Sequence, residues 1–278
     1  MHVKCRAAIA SLVLTLSLAL TGCATTKTLL DGREKSFIVV GYSTSYAWPQ
    51  MLQDMLDAHS DGKRTYHVLN AVVGGSPVER WIAEPGSDSY QATIGAMNRD
   101  YFGPDAVLRG DAPEPTIALC QQSLQFTRTQ RGPIASADDE EGIRIGVAAF
   151  EKFARRLHDR AIERVYIAAH IYKKPVEPEV GNERLALAGL LERGHAFVFE
   201  GPDVWTPTRD RYPDAFAEDG MHPNELGMKI MCEGWYRTIA GTAARQDLVD
   251  AMYARSYDIN PMMRKYIEMR RQAAKSAG

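Results

Sequence analysis

Five short apolar segments, separated by helical patterns, constrain the fold of this chain more than any other feature. Each segment is rich in Val, Ile, Leu, Phe or Ala, and a glycine or polar residue closes it, as is typical of buried strands. The predicted strands are Phe37–Gly41, His67–Val73, Thr116–Cys120, Arg164–His170 and Ala196–Phe199. Strands that alternate with helices form a parallel sheet covered on both faces. The sequence therefore predicts an α/β fold with a five-stranded parallel sheet.

Helical patterns lie between the strands and after them. In residues 141–159, apolar residues recur at i, i+3, i+4 and i+7, with Glu and Arg on the opposite face. The predicted helices are Trp48–His59, Tyr90–Tyr101, Glu141–Asp159, Glu183–Arg193, one from Asn224 to about Ala244, and further helix from Gln246 to Ala277. We expect one domain over residues 36–244 and extra C-terminal helices, residues 245–278, packed on it.

Composition excludes several classes of protein. The 278 residues are 45% hydrophobic and 24% charged, which is enough apolar material for a full core and argues against disorder or a collagen-like chain. Lys and Arg number 33 against 35 Asp and Glu, a formal charge of -2. Because no basic surplus is present to neutralise a phosphate backbone, nucleic acid is not an expected partner.

The N-terminus carries a targeting pattern. A short polar start precedes an apolar run, Ala7 to Leu20, which is too short to span a bilayer and leads into Leu-Thr-Gly-Cys at residues 20–23. This resembles a bacterial lipoprotein signal, with an ordinary secretory signal as the alternative. The resemblance implies a signal peptide over residues 1–22, lipid on Cys23 and a membrane-anchored tether over residues 23–35. We expect the protein in the cell envelope. Residue 24 is alanine and not aspartate, which favours sorting to the outer membrane.

Two cysteines remain in the predicted domain, Cys120 and Cys232. A disulfide is one interpretation in an oxidising compartment, but their apolar neighbours favour two buried small hydrophobic residues. No Cys/His spacing indicates a metal site.

A serine follows the first predicted strand. Phe37–Gly41 runs into Tyr42 and Ser43, and a helix begins near Trp48. A serine in such a turn exposes its hydroxyl at the sheet edge, where backbone N–H groups at the helix start stabilise a developing oxyanion. Ser43 is therefore a candidate nucleophile, with a structural cap as the alternative.

An Asp–His pair precedes the helix that begins near Asn224. Asp219 lies three residues before His222, across a glycine turn. Such a carboxylate can accept the imidazole Nδ1–H and leave Nε2 free as a base. The alternative is a turn-capping aspartate beside a structural histidine.

These blocks resemble the first and last blocks of the SGNH (GDSL-type) hydrolases: a strand followed by Gly-x-Ser, and Asp-x-x-His-Pro-Asn at residues 219–224. The resemblance covers Phe37 to about Ile239. It implies a flavodoxin-like three-layer α/β/α sandwich with no cofactor. It also implies Ser43 as nucleophile, His222 as base and Asp219 as the orienting acid.

The same resemblance implies an oxyanion hole formed by the N–H groups of Ser43 and Gly75 and by a side-chain amide. Gly75 follows the second strand, and a residue without Cβ lets backbone approach a reacting carbonyl. The third block departs from the family, because Cys-Gln-Gln-Ser at residues 120–123 replaces Gly-x-Asn-Asp. Gln122, or failing it Gln121, is expected to donate in place of the asparagine. Tyr42 also stands where the family has aspartate.

Gly-Gly-Ser at residues 74–76, followed by Trp81 and a glutamine in the third block, is similar to the sialate O-acetylesterase-type and xylan acetylesterase-type carbohydrate esterases. This implies an acetyl ester on a sugar as substrate. Trp48, Trp81 and Trp205 are candidates to stack on the sugar, with burial in the core as the alternative.

The expected function is a serine esterase that hydrolyses small acyl esters, acetyl esters of carbohydrate in particular, through an acyl-enzyme. One alternative is an O-acetyltransferase that uses the same triad. Another is a catalytically degenerate, lipid-anchored glycan-binding module.

Overall fold

The computed structural model describes residues 28–30, 33–61, 66–124, 133–176 and 179–276. The strands are β1 (Lys35–Gly41), β2 (Tyr66–Asn70), β3 (Ile117–Gln121), β4 (Arg164–Ala168) and β5 (Val198–Glu200). The helices are α1 (Trp48–His59), α2 (Val78–Trp81), α3 (Asp88–Tyr90), α4 (Ala96–Tyr101), α5 (Glu140–His158), α6 (Glu179–Glu192), α7 (Trp205–Asp210), α8 (Glu225–Ala240), α9 (Gln246–Ala254) and α10 (Ile259–Ser276). A π-helical turn, Gln91–Gly95, joins α3 to α4.

The five strands are parallel and lie in the order β2-β1-β3-β4-β5. This is the strand order of flavodoxin-like doubly wound sheets, so the predicted α/β fold is confirmed. Successive residues of β1 alternate between two cores: Phe37 and Val39 face one, and Ile38 and Val40 face the other. Because both faces are covered, β1 is continuously apolar, which made it recognisable in the sequence.

Helices cover both faces of the sheet. On one face α1 packs against α8 and α9, and on the other α5 packs against α6. Side chains cap the starts of two of the longer helices: Asp139 accepts from Gly142 N at 3.0 Å in α5, and Asn224 accepts from Gly227 N at 3.2 Å in α8. The Asn224 cap fixes the start of α8 directly after His222.

Several predicted boundaries shift. β2 ends at Asn70 rather than Val73, and β4 ends at Ala168 rather than His170, so the residues that follow form loops at the carboxyl edge. The predicted C-terminal helix is two helices, α9 and α10, separated by a break at residues 255–258.

The described part of the predicted tether contains buried apolar residues. Leu29 and Leu30 are buried, and Leu29 N donates to Ile239 O at 2.9 Å. Apolar burial therefore joins this segment to the domain. Cys23 and the predicted signal peptide lie outside the described residues. Among the residues that are described, no helix is long and apolar enough to cross a membrane.

The two cysteines of the domain are free and buried. Cys120 belongs to the core cluster on one face of the sheet and Cys232 to the cluster on the other. The disulfide interpretation is therefore wrong, and the buried hydrophobic one is correct.

Candidate active site

Ser43 lies in a tight turn at the carboxyl end of β1. Ser45 N donates to Tyr42 O at 2.7 Å, which closes a single 3-10 turn ahead of α1. A Cβ at Gly41 would lie 2.8 Å from Ser45 Oγ and 3.3 Å from Gln121 O, so glycine is what permits so close a turn. Ser43 itself is half-buried, with its hydroxyl at the edge of the sheet.

The Asp219–His222 pair is held by a compact loop before α8. Asp219 Oδ1 accepts the backbone N–H groups of Met221 and His222, each at 2.9 Å, while Oδ2 accepts from His222 Nδ1 at 2.5 Å. Gly220 takes a positive φ of 64°, the left-handed conformation that the turn requires. The carboxylate therefore fixes both the backbone and the ring of His222.

The loop brings the ring against the serine. His222 Nε2 lies 3.0 Å from Ser43 Oγ, so a Ser–His–Asp relay is assembled from two distant segments. Hydrogen bonds from the backbone and ring of His222 lower the pKa of Asp219 to about 2. The carboxylate is thus ionised at neutral pH, although 46% of its side chain is exposed to solvent.

Gly75 lies in the loop after β2, at the same edge of the sheet. Its φ is +64°, and Ser76 N donates to Val73 O at 3.2 Å within the turn. Beneath it, Val78 N donates to Ser123 O at 3.0 Å, which ties the loop to the end of β3. Gly75 is exposed, as a backbone donor to a substrate must be.

The two glutamines do not lie open to the site. Gln121 is committed within the core, since its Nε2 donates to Ala169 O at 2.5 Å and its Oε1 accepts from Trp235 Nε1 at 3.2 Å. It is therefore excluded as an oxyanion donor. Gln122 is fully buried under the Gly75 loop, where Trp81 Nε1 donates to Ser76 O at 3.1 Å. With its amide turned so that Nε2 faces Ser76 O, at 3.3 Å, Gln122 also accepts from Trp81 Nε1 through Oε1, at 3.0 Å. These contacts support the Gly75 loop. The sequence predicted instead that the Gln122 amide donates directly to the oxyanion.

The three tryptophans predicted to contact a sugar are core residues. Trp48 and Trp81 have no exposed surface and Trp205 has 4%. Trp48 stacks on Trp235 with ring centroids 5.7 Å apart, and Trp205 packs edge-on against Tyr172. With both faces covered, these rings have none left for a sugar, and this prediction is wrong.

A buried polar cluster lies behind the serine turn, and the sequence analysis missed it. Tyr42 Oη is hydrogen-bonded to His170 Nε2 and accepts from Lys173 Nζ at 2.9 Å. Burial, reinforced by the charge of Lys173, lowers the pKa of His170 well below its usual value. Burial also lowers the pKa of Lys173 to about 8, against the opposing charge of Glu183. The one signal in the sequence was Tyr42, which stands where the family has aspartate.

A cavity of about 490 Å³ opens beside Ser43. One wall belongs to the loops that carry Ser43 and His222 and the other to α10, a helix that the sequence did not connect with the site. The lining residues are Ser43, Tyr46, Ala217, His222, Pro223, Asn224, Met228, Ile259, Asn260, Met263, Arg264 and Ile267.

Fold and site together define a doubly wound α/β protein with a Ser–His–Asp relay at the carboxyl edge of its sheet. In the described ranges, no group of three or more His, Cys, Asp or Glu side chains is placed to hold a metal ion. By sequence, the chain matches no protein-family model and no curated protein.

Similar solved structures include three with esterase or lipolytic descriptions. A psychrotrophic esterase, EstA, from Pseudoalteromonas sp. is 15% identical, with 74% of this chain and 97% of that chain covered and a TM-score of 0.48. A member of the lipolytic protein G-D-S-L family from Veillonella parvula is 14% identical, with 71% and 94% covered and a TM-score of 0.45. A family two carbohydrate esterase from Cellvibrio japonicus is 12% identical, with 78% and 62% covered and a TM-score of 0.44.

Proposed function

We propose that this protein hydrolyses carboxylic esters through an acyl-enzyme on Ser43. The observation that carries the proposal is the relay in which His222 Nε2 lies 3.0 Å from Ser43 Oγ while Nδ1 lies 2.5 Å from Asp219 Oδ2. This arrangement supplies a nucleophile, a base in reach of its proton and a carboxylate that sets the tautomer of the base.

In the first half-reaction, Ser43 Oγ attacks the ester carbonyl carbon and His222 Nε2 takes the hydroxyl proton. The tetrahedral intermediate collapses, the C–O bond to the alcohol breaks, and His222 returns the proton to the leaving oxygen. In the second, water attacks the acyl-enzyme, again with His222 as base, and releases the acid and free Ser43. The ionised Asp219 stabilises the imidazolium that forms in each half-reaction.

The oxyanion is assigned to backbone donors. The N–H groups of Ser43 and Gly75 are the donors that we propose, and Gln122 holds the Gly75 loop from below. Preorganised donors of this kind stabilise the transition state by about 2.7–4 kcal/mol each. The contacts of Gln122 with Ser76 and Trp81 support this positioning role.

The sequence indicated a narrower substrate, an acetyl ester on carbohydrate. Aromatic stacking no longer supports this substrate, since the three tryptophans are buried. The short similarity at residues 74–76 is what still favours it. Anchoring in the cell envelope through lipid on Cys23, at the outer membrane, remains part of the proposal on the strength of the signal pattern alone.

A fluorophosphonate probe tests the proposed function directly, because it reacts with an activated serine whatever the substrate. We expect the protein to be labelled at Ser43 and to release p-nitrophenol from p-nitrophenyl esters, with both activities lost in Ser43→Ala. A matched control is Ser60→Ala, a change at a half-buried serine that ends α1, remote from the site. Labelling that persists in Ser43→Ala would assign the nucleophile elsewhere.

A further inference from the structure

The cavity beside Ser43 is continuous with the reacting atoms. Ser43 and His222 form part of its lining, and its volume of about 490 Å³ lies within the range of sites that bind small organic ligands. An acyl group bonded to Ser43 Oγ therefore has this space directly beside it. Its other lining residues show which chemistry that space accommodates.

The walls are mainly apolar. Met228, on α8, is buried, and Ile259, Met263 and Ile267 face the cavity from α10 as partly buried side chains. These groups are compatible with a hydrocarbon chain, whose burial is favourable in proportion to the apolar area removed from water.

One polar residue of the lining, Asn224, is committed to the protein. Asn224 caps α8 with its Oδ1, and its Nδ2 donates to Asp214 O at 2.7 Å and Phe216 O at 3.0 Å. Asn260 and Arg264 are exposed. A sugar ring placed against Met228, Met263 and Ile267 would bury hydroxyl groups that these side chains cannot hydrogen-bond, which is unfavourable.

The wall formed by α10 is held in place. Tyr266 Oη lies 2.7 Å from Asn70 O and 2.9 Å from Val72 O, at the end of β2 and in the loop after it. One turn further, Arg270 pairs with the fully buried Asp100 at 3.2 Å. Because α10 is fixed to the sheet edge, its apolar side chains have defined positions beside Ser43.

We propose that this cavity is an acyl-chain site, in which α10 selects esters with a hydrocarbon acyl chain of medium length over acetyl esters. The proposal rests on the proposed function, since it concerns the acyl group carried by Ser43. It assigns Met263 and Ile267, in the C-terminal extension, to substrate selection.

The test is a series of p-nitrophenyl esters from acetate to decanoate, beside a second series of acetates with alcohols from ethyl to hexyl. We expect kcat/KM to rise by at least about tenfold from acetate to hexanoate in the acyl series, because even one of the four added methylenes, once buried in an apolar pocket, is worth about that factor. The alcohol series should be flat. A rise in the alcohol series alone, or a preference for acetate in the first, would overturn the assignment.

Substitution of Met263 makes the test specific to this wall. Met263→Trp should lower the ratio of hexanoate to acetate turnover by about tenfold by filling the cavity, while Met263→Ala should move the preference towards longer chains. Gln272→Trp places the same indole on an exposed position of α10 and should change neither. Fluorophosphonate labelling of each variant shows that Ser43 is still assembled.

The outcomes separate the two proposals. If Ser43 is labelled but the preferred chain length is the same in wild type, Met263→Trp and Met263→Ala, the acyl-chain site is wrong and the esterase proposal stands. If Ser43 is not labelled and no ester is turned over, both fail.

Discussion

Ser43 Oγ and His222 Nε2 lie 3.0 Å apart, although the two residues are 179 positions apart in the chain. Ser43 is placed by the end of β1 and His222 by the loop that leads into α8, so the contact exists only when β1, α1 and α8 are packed. The contact between Ser43 and His222 is therefore a property of the whole domain, and each local turn positions only one of the two side chains.

Asp219→Asn should show what the orientation of the His222 ring contributes to turnover, because the imidazole itself is retained. An amide can present its N–H to Nδ1 and favour the wrong tautomer, so we expect kcat to fall by roughly ten-thousandfold with little change in KM. Steady-state kinetics on a p-nitrophenyl ester measures this. Because Asp219 is partly exposed, the folded state should tolerate the change, and thermal unfolding provides the control. A kcat within a few-fold of wild type would remove Asp219 from the relay.

Gln122→Ala should lower kcat by about a hundredfold, since displacing the Gly75 loop by even about 1 Å misplaces a donor at the reacting carbonyl. Gln122→Glu retains the acceptor for Trp81 but loses the donor to Ser76, and is expected to recover little activity. Unchanged turnover in a folded Gln122→Ala protein would show that the loop is fixed without this contact.

Trp48→Ala should lower the stability of the fold and leave substrate recognition unchanged. The indole is fully buried against Trp235, so its removal is expected to lower the free energy of unfolding by about 3–5 kcal/mol. Urea unfolding measures that loss, and Trp48→Phe should retain most of the stability. A raised KM without destabilisation would restore the abandoned role in substrate binding.

His170 should make the fold sensitive to acid. Its pKa is lowered well below 6.5 by burial and by Lys173, so below about pH 6.5 the unfolded chain binds a proton that the folded chain does not. The contribution of His170 to the free energy of unfolding is therefore complete above that pH. Below it, the free energy of unfolding falls by at most about 1.4 kcal/mol per pH unit for this one group. Denaturant unfolding at pH 7, 6 and 5 should show a steeper decline for wild type than for His170→Gln. Parallel curves would contradict this.

Cys23→Ser tests the proposed anchor. Expressed in a Gram-negative host, the wild-type chain should incorporate radiolabelled palmitate and fractionate with membranes, because lipid on the Cys23 thiol supplies the membrane affinity. The variant should lose the label and appear in the soluble envelope fraction. Cys120→Ser is the matched control, since Cys120 is buried in the domain. Palmitate incorporation that survives Cys23→Ser would place the lipid elsewhere.

The sequence could predict those parts of the site that are local. Asp219 and His222 contact each other across a single glycine turn, and Ser43 follows directly from a strand whose apolar run identifies it. The glutamines show where this approach fails. Gln121 and Gln122 are neighbours, yet one points towards Trp235 and the other towards Trp81, because successive residues of an extended strand face opposite sides. Their sequence could not assign either to the site.

By itself, the sequence determined the α/β class, the strand that carries Ser43 and the Asp219–His222 turn, because periodicity, glycine turns and capping depend on residues a few positions apart. Tertiary structure alone decided the rest: which tryptophans are buried, the contact of Lys173 with Tyr42, and the apolar wall that α10 sets beside the serine. These depend on long-range packing, in which the same apolar side chain is core or cavity lining according to what lies opposite it.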